Sequence, residues 1–330
     1  MLKTNRRYVI TMLGGVALAL TGVARARAAG RRTLIAFLSN GPEVHNWLLA
    51  AFLDGMREFG HVEGQDFDVV SRFSGAGRDE RLPALAEELV RMKPDLILAT
   101  ATPCAVAAKE AAPSIPIVVG ILGNPVGLGL AKSEARPAGN VTGMLEAPPG
   151  LAAKQLEIAL DIIPGATTIA LLVNSGENIN SPQQQEITAA AAGRGIKIVT
   201  ADARGAADLE AAFASLVREH AQAVIVLRGT LFFTVSSRVA ELAVAARLPS
   251  VWGWPDPIAN GGLVGYGVDL PASIRRTAFF VDKIMKGTSA GDLPIEFPKT
   301  LVMAVNLKTA AQIGLTIPPS LLVRADKVIE

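Results

Sequence analysis

Arg228 ends the apolar run AVIVLRG (223–229) and sets a planar guanidinium at a strand end. It can clamp a carboxylate through two parallel hydrogen bonds, or form an ordinary ion pair. Other polar residues close apolar runs in the same way: Ser39 and Asn40 at TLIAFLS, Thr100 at DLILAT, Asn174 at TIALLVN. Three further positions set a short polar side chain directly before proline: Thr102-Pro103, Asn124-Pro125 and Ser181-Pro182. Such a pair starts a helix, because the side chain caps a free amide and proline at the first helical position loses no hydrogen bond. Ser181 with Gln184 also has the spacing of a capping box. A helix start beyond a strand end turns free N–H groups toward a ligand. Thr102 and Asn124, with Pro125, are therefore candidate contacts as well as helix starters. Trp254 and Tyr266 supply rings that could stack on an aromatic ligand. Tyr266 lies in GLVGYG, where small neighbours leave its ring room.

Catalytic and metal-binding constellations are missing. His45, His61 and His220 are scattered, with neither a His-x-x-x-His pair nor a Cys/His cluster to hold a metal. There is no G-x-S-x-G elbow. In GILGNPVGLGL (120–130) the glycines miss the spacing of a dinucleotide loop and of a phosphate loop with its lysine. The stretch reads instead as a strand end turning through Gly123 into a helix capped by Asn124 and started by Pro125. No catalytic residue, cofactor or metal is expected.

The elements that must position these residues alternate along the chain. Continuous apolar runs occur at 33–39, 66–70, 95–100 and 115–122, and again at 168–174, 196–201, 223–229 and 248–254. Runs without alternation suit strands buried on both faces of a parallel sheet. Between them, segments such as WLLAAFLDGMREFG and LEAAFASLVREH repeat apolar residues at helical spacing. Two sets of four imply an α/β protein of two similar lobes with parallel sheets, split where GMLEAPPG (143–150) reads as a crossover. GLVGYG with the helical stretch 271–287 forms a further unit, and LVMAVNL (301–307) a further strand followed by short helices. The expected first lobe is 29–145 plus 258–290, and the second 146–257 plus 291–330. Several crossings make a hinge, and ligands bind at the carboxyl ends of strands in such a cleft.

Residues 1–28 read as an export signal: basic Lys3, Arg6 and Arg7, an apolar stretch from about Tyr8, then Ala26-Arg27-Ala28 for cleavage near Ala28. Arg6-Arg7 also fits a twin-arginine signal. Cleavage removes five of the 32 basic residues and none of the 30 acidic ones, which leaves a slightly acidic remainder. Such a chain, with no basic stripe, has no general attraction for nucleic acid. The single cysteine, Cys104, reads as a small buried side chain.

Five stretches occur in an order that resembles one family: REFGHVEGQDFDV; RLPALAEELVRMKPDLILAT; GNPVGLGL with RPAGNVTGM; AAKQLEIALDIIPGATTIALLVN; and VNLKTAAQIGLTIPPSLLVRADKVIE. They resemble the ABC-transporter substrate-binding proteins of the tryptophan- and tyrosine-binding type, over nearly the whole chain after the signal. The resemblance implies a type I periplasmic binding-protein fold, two Rossmann-like lobes, and no catalysis. It implies a monomer that hands an aromatic amino acid, or a related aromatic or organic acid, to an inner-membrane ABC permease. A receptor feeding a membrane sensor is the alternative, and a periplasmic hydrolase or isomerase a third. The family usually has DPVG where this chain has Asn124-Pro125-Val126-Gly127. An Asp there could balance a ligand ammonium, and nearby Asp269 is the candidate replacement.

Overall fold

The computed structural model describes residues 31–43, 47–75, 78–177 and 180–330. The expected signal (1–28) and His45 lie outside the described residues. The first sheet holds β1 (Thr33–Ser39), β2 (Phe67–Phe73), β3 (Leu96–Ala101), β4 (Ile117–Leu122) and β5 (Val141–Leu145), in the order β2-β1-β3-β4-β5. All four of its strand pairs are parallel. Apolar residues face both sides of its strands: Ala36 and Leu38 pack into one cluster, Ile35 and Phe37 into the other. That two-sided burial explains the unbroken apolar runs. The layer on one face includes α2 (Leu82–Arg91) and α3 (Thr102–Ala111), and α1 (Trp47–Glu58) lies on the other.

The second sheet has seven strands: β6 (Thr168–Val173), β7 (Lys197–Asp202), β8 (Ala223–Val226), β9 (Ser250–Trp252), β10 (Val264–Val268), β11 (Leu301–Asn306) and β12 (Lys327–Ile329). Their order is β12-β11-β10-β9-β8-β6-β7, and only β10 and β11 run antiparallel. Among its helices are α4 (Leu151–Ile162), α5 (Asn180–Ala192), α6 (Leu209–Arg218), α7 (Thr230–Thr234) and α8 (Ser236–Ala245).

Two strands escaped the sequence reading. β5 falls where a crossover was expected, and β12 where short helices were. The lobe placement of 258–290 also needs correcting. β10 does not return to the first sheet; it pairs with β9 and β11 in the second. Only the helix after it, α9 (Leu270–Met285), returns, and packs on α1 and β4. Residues 293–296, expected in the second lobe, stay with the first. The Glu296 amide donates to Gly143 O at 2.9 Å, Leu145 N donates to Glu296 O at 2.8 Å, and Ile295 enters the first core. That segment covers the β5 edge, whose backbone groups would otherwise be open to pairing. Gly55 is what allows α1 and α9 to touch. A Cβ there would lie 2.4 Å from Arg275 O.

Candidate ligand-binding site

The strand ends of the two lobes meet, and contacts of three kinds span the junction among the described residues. The Asn40 amide nitrogen donates to Thr230 Oγ1 at 3.0 Å. Trp47 at the start of α1 lies 6.5 Å from Phe233 of α7, ring centre to ring centre. The third contact is a buried ion pair, in which Arg228 Nε donates to Glu146 Oε1 at 2.8 Å with both side chains over 90% buried.

Arg228 is thus neither a free clamp nor a surface partner. Its N–H donates to Gln183 Oε1 at 2.9 Å, and its carbonyl accepts from Asn180 and Gln183, both at 3.1 Å. The guanidinium lies 6.0 Å from the Trp254 ring, and Gly253 leaves it space: a Cβ there would come within 2.3 Å of Arg228 Cγ. One nitrogen, Nη1, is buried with no hydrogen-bond partner among the described residues. Burial pushes the Glu146 carboxyl above the usual range, against the opposing pull of Arg228. Desolvating a charged pair costs several kcal/mol per ion, so such a pair persists only when both charges are matched.

A second polar group lies around α7. Glu177 accepts from the Thr230 and Leu231 amides at 2.9 and 3.0 Å, and from the Asn174 side chain at 3.1 Å. The first two N–H groups of α7 are therefore occupied by the protein's own carboxylate. Across the junction, Oδ1 of Asp79 is buried with no hydrogen-bond partner among the described residues. Burial raises both carboxyls, and the Asp79 charge adds to the rise at Glu177.

An apolar cluster joins the two groups. Leu151, Trp254, Val268 and Leu270 form its buried part, with Trp47, Phe233 and Tyr266 packed against it. Ile121 of β4 joins them, so both lobes contribute.

The expected site residues divide. Asn40, Asn174, Arg228, Trp254 and Tyr266 all come to this junction. Ser39 and Thr100 are buried behind it, their hydroxyls 3.4 Å apart. Thr102 does not cap α3; the cap residue is Ala101. Its hydroxyl instead accepts from Gly123 N at 2.8 Å and ties α3 to the end of β4. No helix follows Asn124. Residues 125–129 form turns, Asn124 sits at φ 45°, and its Oδ1 accepts from Gly127 N at 3.1 Å. The Asn124 side chain is exposed, while Pro125 is buried under the turn. Asp269 caps α9 by accepting from Ala272 N at 3.0 Å. Ser181 is exposed on the first turn of α5.

Reasoning from sequence missed Trp47, Asp79, Glu146, Glu177, Phe233 and Thr230. Only Trp47 carried a signal, as an aromatic opening a helix shortly after the first strand. Among the described residues no group of three His, Cys, Asp or Glu is placed to hold a metal ion, and no helix is long and apolar enough to cross a membrane.

Residues 44–329 match the family model described as "ABC transporter substrate binding protein". The chain belongs to that family. This substrate-binding protein is 26% identical over 246 residues to a tyrosine-binding protein of Clostridioides difficile, covering 74% of this chain and 70% of the relative. A conserved domain protein of Vibrio cholerae superposes with a TM-score of 0.84 at 26% identity, over 90% of this chain and 100% of the other. A Streptococcus pneumoniae ABC domain solved in complex with L-Trp superposes with a TM-score of 0.83 at 24% identity, over 91% of this chain and all of that one. The two mostly parallel α/β sheets are those of type I periplasmic binding proteins, and the family is one of binding proteins, not of enzymes.

Proposed function

We propose that this substrate-binding protein is the periplasmic receptor of an ABC importer. In this reading it is exported, cut near Ala28, and acts as a monomer that delivers a small aromatic molecule to an inner-membrane permease. The observation that carries the ligand class is the aromatic junction: Trp47 of the first lobe against Phe233 of the second, with Trp254 and Tyr266 beside them. Flat rings from both lobes favour a flat ligand, because offset or edge-on aromatic pairs add about 0.5–1.5 kcal/mol beyond area burial. The tyrosine-binding relative and the neighbour solved with L-Trp support the same class.

Capture is a shift of population. A ligand that touches Trp47 and Asn40 on one lobe and Phe233 and Arg228 on the other binds the closed arrangement more tightly, and so favours it. In this role Asn40, Arg228, Trp254 and Tyr266 face the ligand, and Ser39, Thr100, Thr102 and Asn174 hold the walls that carry them. Asn124, Pro125 and Asp269 are given no contact.

The test is mass spectrometry of small molecules released from protein purified out of its native envelope, which should recover one aromatic compound unaltered. A thermal-shift screen of aromatic amino acids, amines and acids gives the second measure. A true ligand at about 100 times its dissociation constant adds about 2.7 kcal/mol of stability. Recovery of an aliphatic ligand, or of a chemically altered one, would overturn the reading.

A further inference from the structure

We infer that Glu146 is the specificity-determining residue of the receptor: by neutralising Arg228 it reserves that guanidinium for an uncharged ligand oxygen and shuts out a carboxylate. The inference rests on the proposed aromatic receptor and adds the residue that selects among aromatic ligands.

Both partners of the ion pair are held from behind, one in each lobe. On the second lobe, Gln183 and Asn180 fix the Arg228 backbone through its N–H and its carbonyl. On the first, the Glu146 amide donates to Leu122 O at 3.0 Å, at the end of β4. Gly123, the next residue, leaves the carboxylate its place: a Cβ there would stand 3.3 Å from Glu146 Oε2. The pair therefore forms at one fixed position as the lobes come together, with side chains only 6% and 8% exposed.

Arg228 does not spend all its donors on that bond. Nε holds Glu146 at 2.8 Å, while Nη1 is buried with no partner among the described residues. The guanidinium carbon lies 6.0 Å from the centre of the Trp254 ring, so the idle donor belongs to a group that borders the aromatic wall. A buried donor without an acceptor is costly, and it calls for an oxygen on what fills the junction. Charge decides which oxygen. The single positive charge of Arg228 is already balanced by Glu146, so a ligand carboxylate would leave the buried group with a surplus negative charge where little water screens it. An amide, hydroxyl or phenol oxygen accepts the same hydrogen bond and keeps the group neutral. Without Glu146, the same arginine would favour the acid. Selection thus comes from repelling the wrong ligand as well as from holding the right one.

The test is calorimetric titration at neutral pH with phenylacetamide and phenylacetate, alongside L-tyrosine and L-tryptophan. The first two share one ring and differ in the charge of their single polar group. Phenylacetamide should bind about tenfold or more tighter than phenylacetate, the scale of one charged hydrogen bond. Glu146→Gln should shift that ratio toward the acid by about tenfold or more, because it leaves the Arg228 charge unbalanced. A merely structural Glu146 would weaken both probes alike. The inference falls if the acid binds as tightly as the amide, if neither of these two binds, or if Glu146→Gln leaves their ratio unchanged; binding of either amino acid then keeps the aromatic reading. If none of the four compounds binds, both fall. Should Glu146→Gln not fold, the order of phenylacetamide and phenylacetate on the unaltered protein decides.

Discussion

Replacing Arg228 with methionine would strand the Glu146 carboxylate in the interior, and the loss should be large. Removing one partner of a buried pair costs about 3–5 kcal/mol. Urea unfolding of Arg228→Met should report that loss, and adding Glu146→Leu should recover most of it. Recovery would show that the pair is kept for what it does at the junction, since apolar substitutes of similar volume do not cost stability. Glu177 makes the matching prediction in pH. Its carboxyl is raised above the ordinary 4.5, mainly by burial. A raised acid holds its proton more tightly when folded, so its stabilisation is full below that ordinary value and is lost as pH rises through the raised one. In ligand-free protein, Glu177→Gln should therefore flatten the fall in melting temperature as pH rises above the ordinary 4.5. The position of Arg228 was legible because it ends a strand. Its partner was not, because Glu146 comes 82 residues earlier, from a stretch rich in Gly and Pro that reads as linker. Asn124 misled for a local reason. Its Asn-Pro pair reads as a helix start, but Gly127 and Gly129, the latter at φ 66°, favour a turn.

At the scale of elements, the α1–α9 contact is the sharpest test of the fold. Gly55→Ala would drive a Cβ into Arg275 O and to within 2.9 Å of the Ala278 Cβ. Overpacking of this kind costs about 1–3 kcal/mol, readable as a lower denaturation midpoint with an unchanged slope. Ten of the twelve strands were legible, because parallel strands buried on both faces leave unbroken apolar runs. The two missed are edge strands. β12 is three residues long and mostly exposed, and β5 carries Gly143 at φ 141°. Neither produces a run. The placement of β10 could not be read either, since an apolar strand fits either sheet and its partners β9 and β11 lie on both sides of it in the chain.

For the molecule as a whole, ligand and hinge are one problem. Trp47→Ala and Phe233→Ala come from opposite lobes, and each should weaken an aromatic ligand about three- to tenfold, in line with the worth of one aromatic pair. Small-angle scattering with and without ligand should show the radius of gyration falling as the closed arrangement gains population. The double variant should reduce that change along with the affinity.

The return of α9 to the first lobe also governs when that lobe can exist. Its core needs Ile274, Ala278, Phe280 and Val281 packed against Phe37, Phe52 and Met56. Those residues follow most of the second sheet in the chain. A polypeptide emerging N-terminus first thus lacks one wall of its first lobe until α9 appears, and the second sheet lacks β11 and β12 until later still. Domains that are continuous in sequence can fold one after the other during synthesis; here neither lobe can finish early. The interleaved chain order leaves both lobes incomplete until almost all of the chain has been synthesised.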